Sequence, residues 1–294
     1  MKHKKRAEGR TLVIMIIVIA SALVLISFGG MIYSLIVSSS SDEACRLSLF
    51  AMSKLKKIDP VTGTSGISAK CPRKEITFYD DHVEEYIKGR KRKIDVMIGD
   101  KKTKKFDGLS DYIFMQVMGE ELRKCWYKTL EGKERPFDQA LLKLWGVDSV
   151  CMVCATVDFD KELREEKTTF SNFQNYLDTT TMHGSELRYS DYLTTNLYGR
   201  KLSIIIFLDK TRRIVGEERA AVESVDEFST DNTYSIIYTS FTKAKANIWD
   251  FIKNNVFRIY SVISGKAVSK ETFGLLSVIK SEDMSTLKCG MLYN

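Results

Sequence analysis

Residues 149–159 read Ser-Val-Cys-Met-Val-Cys-Ala-Thr-Val-Asp-Phe. Four β-branched residues, a terminal phenylalanine and no glycine or proline mark the run as a strand. Cys151 and Cys154 carry the spacing of a redox dithiol or of half a zinc site. A thioredoxin-type pair opens a helix, whose N-terminus lowers the attacking thiol's pKa. In a strand, positions i and i+3 face opposite sides, so these two sulfurs should diverge. A zinc knuckle needs a turn between its ligands and a second pair nearby, and the chain has no other Cys-x-x-Cys and no His-x-x-x-His. Structural disulfides are the leading reading, with metal and redox chemistry as the alternatives.

Outward from this strand, Leu202–Leu208, Tyr234–Phe241 and Phe257–Val262 share its β-branched and aromatic character and should join it in a sheet. Lys74–Tyr79 and Ile94–Ile98 read as further strands. The clearest helix is Leu109–Leu130: Tyr112, Met115, Met118, Leu122, Cys125 and Trp126 recur every three to four residues, with Glu120, Glu121, Arg123 and Lys124 on the polar side. Ser41–Lys57 has a helical apolar stripe, Ser41 as N-cap and acids in its first turn. Thr169–Leu177, Ser190–Leu197, Thr242–Asn254 and Lys270–Leu276 are weaker helix candidates. Strands and helices interleave without a regular βαβ rhythm, so the expected fold is α+β, a mainly antiparallel sheet with packed helices.

This domain follows a membrane segment. From Thr11 to Val37 there are 27 residues without a charge. At about 1.5 Å per helical residue the run exceeds a hydrocarbon core of about 30 Å. A soluble core helix would need a polar face, and no polar residue stands between Thr11 and Ser21. Lys2, Lys4, Lys5, Arg6 and Arg10 precede the run, which places the N-terminus in the cytoplasm and the rest outside a cell membrane. The run is longer than a cleavable signal's apolar stretch, which favours a retained anchor. The expected organisation is a cytoplasmic flank over 1–10, a transmembrane helix over 11–37, a stalk helix and loop over 38–72 and an extracytoplasmic domain over 73–294.

All six cysteines lie beyond that segment, an even number that suits an oxidising compartment. Cys45 with Cys71 would close the loop after the stalk helix. Cys125 would take one of Cys151 and Cys154, and Cys289 the one left over.

Two resemblances touch short stretches. Lys4-Lys5-Arg6-Ala7-Glu8-Gly9 ahead of the apolar run resembles the leader of type IV pilin-like proteins, although Ile14 stands where that family has a glutamate. It implies processing after Gly9 and a filament subunit. The block Gly119-Glu120-Glu121-Leu122-Arg123-Lys124-Cys125-Trp126, then Glu131-Gly132, Cys151-Met152-Val153-Cys154 and Phe159-Asp160, resembles uncharacterised single-pass membrane proteins of small-genome symbiotic archaea. That resemblance implies an anchored cell-surface protein and brings no activity, cofactor or catalytic residue.

The formal charge of +7 is uneven. Residues 88–105 carry Lys88, Arg90, Lys91, Arg92, Lys93, Lys101, Lys102, Lys104 and Lys105 against Asp95 and Asp100. The segment reads as a hairpin arm with cationic ends. One function for it is an edge that resists strand-to-strand aggregation. The other is a patch for an anionic surface ligand, by charge attraction without base stacking. His82, in Asp80-Asp81-His82-Val83-Glu84-Glu85, lacks cation-loop spacing, and His183-Gly184 lies in a polar turn. No P-loop, zincin or nucleophile-elbow motif is present. No catalytic, metal or cofactor residue is therefore assigned. The expected function is a single-pass, membrane-anchored surface protein with a disulfide-stabilised ectodomain for binding or envelope structure. The bilayer is its partner through residues 11–37. The alternatives are a tethered hydrolase or thiol oxidoreductase, or the pilin-like subunit.

Overall fold

A computed structural model describes Ser21 and residues 42–55, 71–132, 149–194, 203–208, 227–241, 274–286, 289 and 291–293. The uncharged run, apart from Ser21, lies outside them, as do Phe257–Val262 and Thr242–Asn254. Among the described residues no helix is long and apolar enough to cross a membrane.

The strand quoted first becomes β6, Ser149–Phe159, at the centre of a mixed eight-stranded sheet. The other strands are β1 (Lys74–Phe78), β2 (Val83–Ile87), β3 (Arg90–Lys93), β8 (Ser203–Leu208), β10 (Tyr234–Phe241), β11 (Gly274–Lys280) and β12 (Met291–Tyr293). Their order is β3-β2-β1-β6-β10-β11-β8, and β12 also pairs with β6. One edge of β6 is shared by two parallel partners: β12 against Val150–Met152 and β1 against Ala155–Phe159. Antiparallel β10 takes the other edge. The sheet is therefore mixed, where a mainly antiparallel one was expected. Parallel neighbours need a long crossover, and the helix α2 (Asp111–Lys128) lies between β1 and β6 to supply one.

Among the described residues two short antiparallel pairs complete the strands: the hairpin of β4 (Val96–Ile98) with β5 (Lys101–Thr103), and β7 (Thr169–Phe170) with β9 (Phe228–Ser229). Further α-helices among the described residues are α1 (Asp42–Leu55), α3 (Lys161–Glu166), α4 (Phe173–Thr179) and α5 (Tyr189–Thr194). The helix expected over Lys270–Leu276 is overturned at its C-terminal end, because Gly274 opens β11. Leu276, Ser277, Val278 and Ile279 are all buried there, and a strand buried on both faces has no period for a sequence reading to detect. In Thr169–Leu177 the first two residues form β7, and the helix begins only at Phe173.

A bulge in β6 decides how its side chains are shared. Ile236 faces Ala155 and Ile237 faces Val153, so Cys154 is the extra residue. Val150, Met152, Cys154, Ala155, Val157 and Phe159 consequently all enter the core against α2. Cys151 looks the other way, with its sulfur 3.4 Å from the Thr239 hydroxyl. The core side of α2 is closed by Phe114, whose ring lies 4.4 Å from Phe170 and 5.2 Å from Phe78, and by Trp126 against Tyr238. Ser110 caps α2 by accepting from the Ile113 N–H.

The helix expected as a stalk, α1, packs into this same core through Cys45, Leu49 and Met52. The three disulfides are Cys45–Cys71, Cys125–Cys154 and Cys151–Cys289, and no cysteine is free.

Candidate functional site

The polar stripe of α2 forms the floor of a groove. Tyr112, Gln116, Glu120, Arg123 and Tyr127 follow at intervals of three or four and share one face. The β4–β5 hairpin makes one wall, joined to the floor where the Met97 N–H donates to Gln116 Oε1 at 2.8 Å. The opposite wall is the segment from Thr180 to Tyr192, pinned by a bridge between Thr181 and Arg188. Two adjoining hollows of about 510 and about 730 Å³ share Met97, Gln116, Met182, His183, Ser185 and Tyr189.

Gly119 lets the far wall approach. A Cβ there would stand 3.3 Å from a Tyr176 ring carbon, 3.5 Å from one of Tyr189 and 3.6 Å from a Leu177 methyl. Any side chain would push those rings outward.

Two tyrosine–carboxylate–arginine chains line the groove. Glu120 accepts from the Tyr189 hydroxyl at 2.6 Å and from Arg123 Nε at 2.9 Å. Glu131 accepts from the Tyr192 hydroxyl at 2.8 Å and pairs with Arg46 at 3.5 Å. Burial, reinforced by the neighbouring carboxylate, pushes the pKa of both phenols up, so they keep their protons and remain hydrogen-bond donors. Glu131 is held in a left-handed conformation, φ 52° and ψ 34°, directly after Leu130 at φ 67°. Such backbone is costly for a side-chain-bearing residue, and here it aims the carboxylate between Tyr192 and Arg46. Arg46 also lies 4.0 Å over the Tyr127 ring, which ties α1 to the rim.

Behind the groove lies a buried charge cluster. Glu121 meets Lys124 at 2.5 Å and Lys74 at 3.5 Å, while Asp42 meets Lys74 at 3.0 Å and Lys128 at 3.4 Å. Burial works against the Glu121 charge, but the ammoniums of Lys124, Lys74 and Lys128 hold its carboxyl down to about 2. Glu121, expected on the polar side of the helix, is thus an interior residue. Tyr112, expected on the apolar side, is 49% exposed and lines the groove.

The nine cations assigned to an anionic-ligand patch occupy two hairpins. Lys88 sits in the β2–β3 turn, and Arg90, Lys91, Arg92 and Lys93 make up β3, the edge strand of the sheet among the described residues. Lys101 and Lys102 belong to β5, with Lys104 and Lys105 just beyond it. Four are paired: Lys91 with Glu84 at 2.5 Å, Arg92 with Glu85, Lys102 with Asp95 at 3.3 Å and Lys105 with Asp81 at 3.7 Å. Lys88, Arg90, Lys93, Lys101 and Lys104 have no ion pair among the described residues. The groove does not share this polarity, since Asp95, Asp100, Glu120, Glu121, Glu131 and Glu186 line it against Lys102, Arg123 and Lys124.

The histidines stand apart. His82 stacks on Tyr79 at 4.5 Å, bonds Asp81 and reaches Glu84 at 3.3 Å. The His82 bond holds the Asp81 carboxyl below its usual range. His183 lies in the groove wall. Among the described residues no group of His, Cys, Asp and Glu is arranged to hold a metal. Cys151 and Cys154 point to opposite sides of the sheet and belong to different disulfides, so they do not form a dithiol with each other.

The sequence reading missed the groove because its tyrosines come from three separate helices. The one local signal was Tyr112, Gln116, Glu120 and Arg123 on a single helical face. Comparison with family models, curated proteins and solved structures finds no match.

Proposed function

We propose that this chain is a single-pass, membrane-anchored surface protein whose disulfide-held ectodomain binds a partner in the groove beside α2. The observation that carries the reading is the complete pairing of six cysteines, all placed after the uncharged run 11–37. Three disulfides suit an exported domain, because reducing compartments keep such thiols free. The run itself supports a membrane helix by its length and its basic flank. The groove supports binding over catalysis: its tyrosines supply rigid amphipathic area, and Glu120 and Glu131 are each engaged by an arginine and a tyrosine.

Thiol labelling, alkaline extraction and protease treatment of whole cells test this. Labelling of the denatured chain before reduction should detect no thiol. The chain should stay with the membrane pellet in alkali, and a C-terminal tag should be digested from outside. Six labelled thiols, release by alkali, or a protected tag would overturn the reading. An N-terminus beginning after Gly9 would instead favour the pilin-like form.

A further inference from the structure

The start of α1 and the turn between β2 and β3 lie at the same end of the domain. Asp42, which opens α1, is bonded to Lys74, the first residue of β1. Next in β1, Glu75 pairs with Tyr86, and Tyr86 pairs with Lys91. Ile87 pairs with Arg90, so the Lys88–Gly89 turn closes the sheet at that end. Neighbouring strands are about 4.8 Å apart, which puts Arg90 about 10 Å across the sheet from β1.

Only residues 38–41 separate the uncharged run from Asp42. The five steps from Val37 to Asp42 cover at most about 18 Å when fully extended. A domain tethered that closely keeps this end near the headgroups of the bilayer that holds its anchor. The β4–β5 hairpin is differently placed, being joined to α2 at Gln116, about 18 Å along the helix from Lys128.

The chemistry of the near end suits a headgroup layer. Lys88 and Arg90 are exposed and have no carboxylate partner among the described residues. The acids that open α1 are engaged, Asp42 by Lys74 and Lys128, and Glu43 by the Tyr127 hydroxyl at 2.7 Å. Tyr86 is 45% exposed, and its hydroxyl lies 3.9 Å from where a Gly89 Cβ would stand. A tyrosine flanked by cations is the side-chain set found where proteins meet the membrane surface. Lys88 at φ 48° and Gly89 at φ 81° make a tight two-residue turn, so the cations project from a short, stiff tip.

We propose that the β2–β3 turn, through Lys88, Arg90 and Tyr86, docks on anionic headgroups of the same bilayer that residues 11–37 span. The inference rests on the membrane-anchor reading. Docking turns the groove face of the ectodomain into a surface of defined orientation.

Hydrogen exchange on the full chain tests it, in vesicles of phosphatidylcholine alone and of phosphatidylcholine with phosphatidylglycerol. The probe region is residues 86–91, where edge-strand amides exchange readily, and residues 97–103 are the internal reference. Phosphatidylglycerol should slow exchange over 86–91 and leave 97–103 unchanged, with the effect reversed by high salt. Lys88→Gln and Arg90→Gln should each weaken the anionic-lipid preference about five-fold, and unchanged disulfide content will show that the variants fold. Equal exchange in the two vesicles, or protection of 97–103 instead, overturns the docking. An alkaline wash separates the two ideas: a chain retained without protection defeats the docking alone, whereas a chain released defeats the anchor and the docking together.

Discussion

Glu120 and Glu121 are neighbours in α2 and live in different environments. Glu120 is partly exposed in the groove, where a tyrosine hydroxyl and an arginine satisfy it. Glu121, one helical step of about 100° further round, is 2% exposed and surrounded by lysines. The first carboxylate orders the wall of the groove, and the second ties α2 to β1 through Lys74, which Asp42 links to α1. The comparison teaches that the two sides of this helix divide the labour, one side shaping an open groove and the other holding the domain together.

The interior side should show the largest effects. Glu121→Ala leaves buried Lys74 and Lys128 to share Asp42 alone and takes the carboxylate from half-buried Lys124, and should cost about 3–5 kcal/mol in denaturant unfolding of the oxidised protein. The wild type should share this dependence through pH. Because the folded Glu121 carboxyl is held near 2, below its ordinary 4.5, its contribution is complete above about 4.5 and is lost as pH falls towards about 2. Thermal melts across that window should show the decline, and Glu121→Gln should flatten it. If Glu120→Gln flattens the curve equally, the distinction between the two residues fails.

Replacing Cys125 and Cys154 together by serine, on the same interior side, should cost about 3 kcal/mol by releasing a loop with a sequence separation of 29. Urea midpoints of the variant and the wild type measure it.

On the groove side the effects should be smaller and should fall on the shape of the groove. Gly119→Ala forces the Tyr176 and Tyr189 rings outward and should cost about 1–2 kcal/mol, with increased Tyr189 exposure in solvent-quenching experiments. Tyr189→Phe removes one donor to Glu120 while Arg123 remains, and should cost about 1 kcal/mol. A melting shift as large as that of Glu121→Ala would show that the groove is part of the structural core.

Much of the fold was legible wherever local pattern and tertiary environment agree. The span of β6 follows from its β-branched run, and α2 follows from its apolar period. The divergence of Cys151 and Cys154 follows from strand geometry. Spacing suggested Cys45 with Cys71 and left Cys125 and Cys289 to divide Cys151 and Cys154 between them; only the structure joins Cys125 to Cys154 and Cys151 to Cys289. Legibility ended where burial overrides pattern. β11 is apolar on both faces and carries no period, and β12 is only three residues long. The parallel pairing of β1 with β6 depends on contact between segments some eighty residues apart. The groove residues were missed for the same reason, since Tyr112, Tyr176 and Tyr189 are distant in the chain and meet around Gly119.

What the amino-acid sequence determined by itself is local: an uncharged run long enough for a bilayer, the apolar period of α2, the β-branched run of β6, and the concentration of positive charge between 88 and 105. Those properties depend on residues within a few positions of one another. Only the tertiary structure decided that the positive segment divides into a sheet-edge turn and a groove wall. It alone sent Glu120 to a tyrosine and Glu121 to lysines. Both outcomes depend on which distant backbone supplies the partner, and a carboxylate's role follows its partner and its access to water.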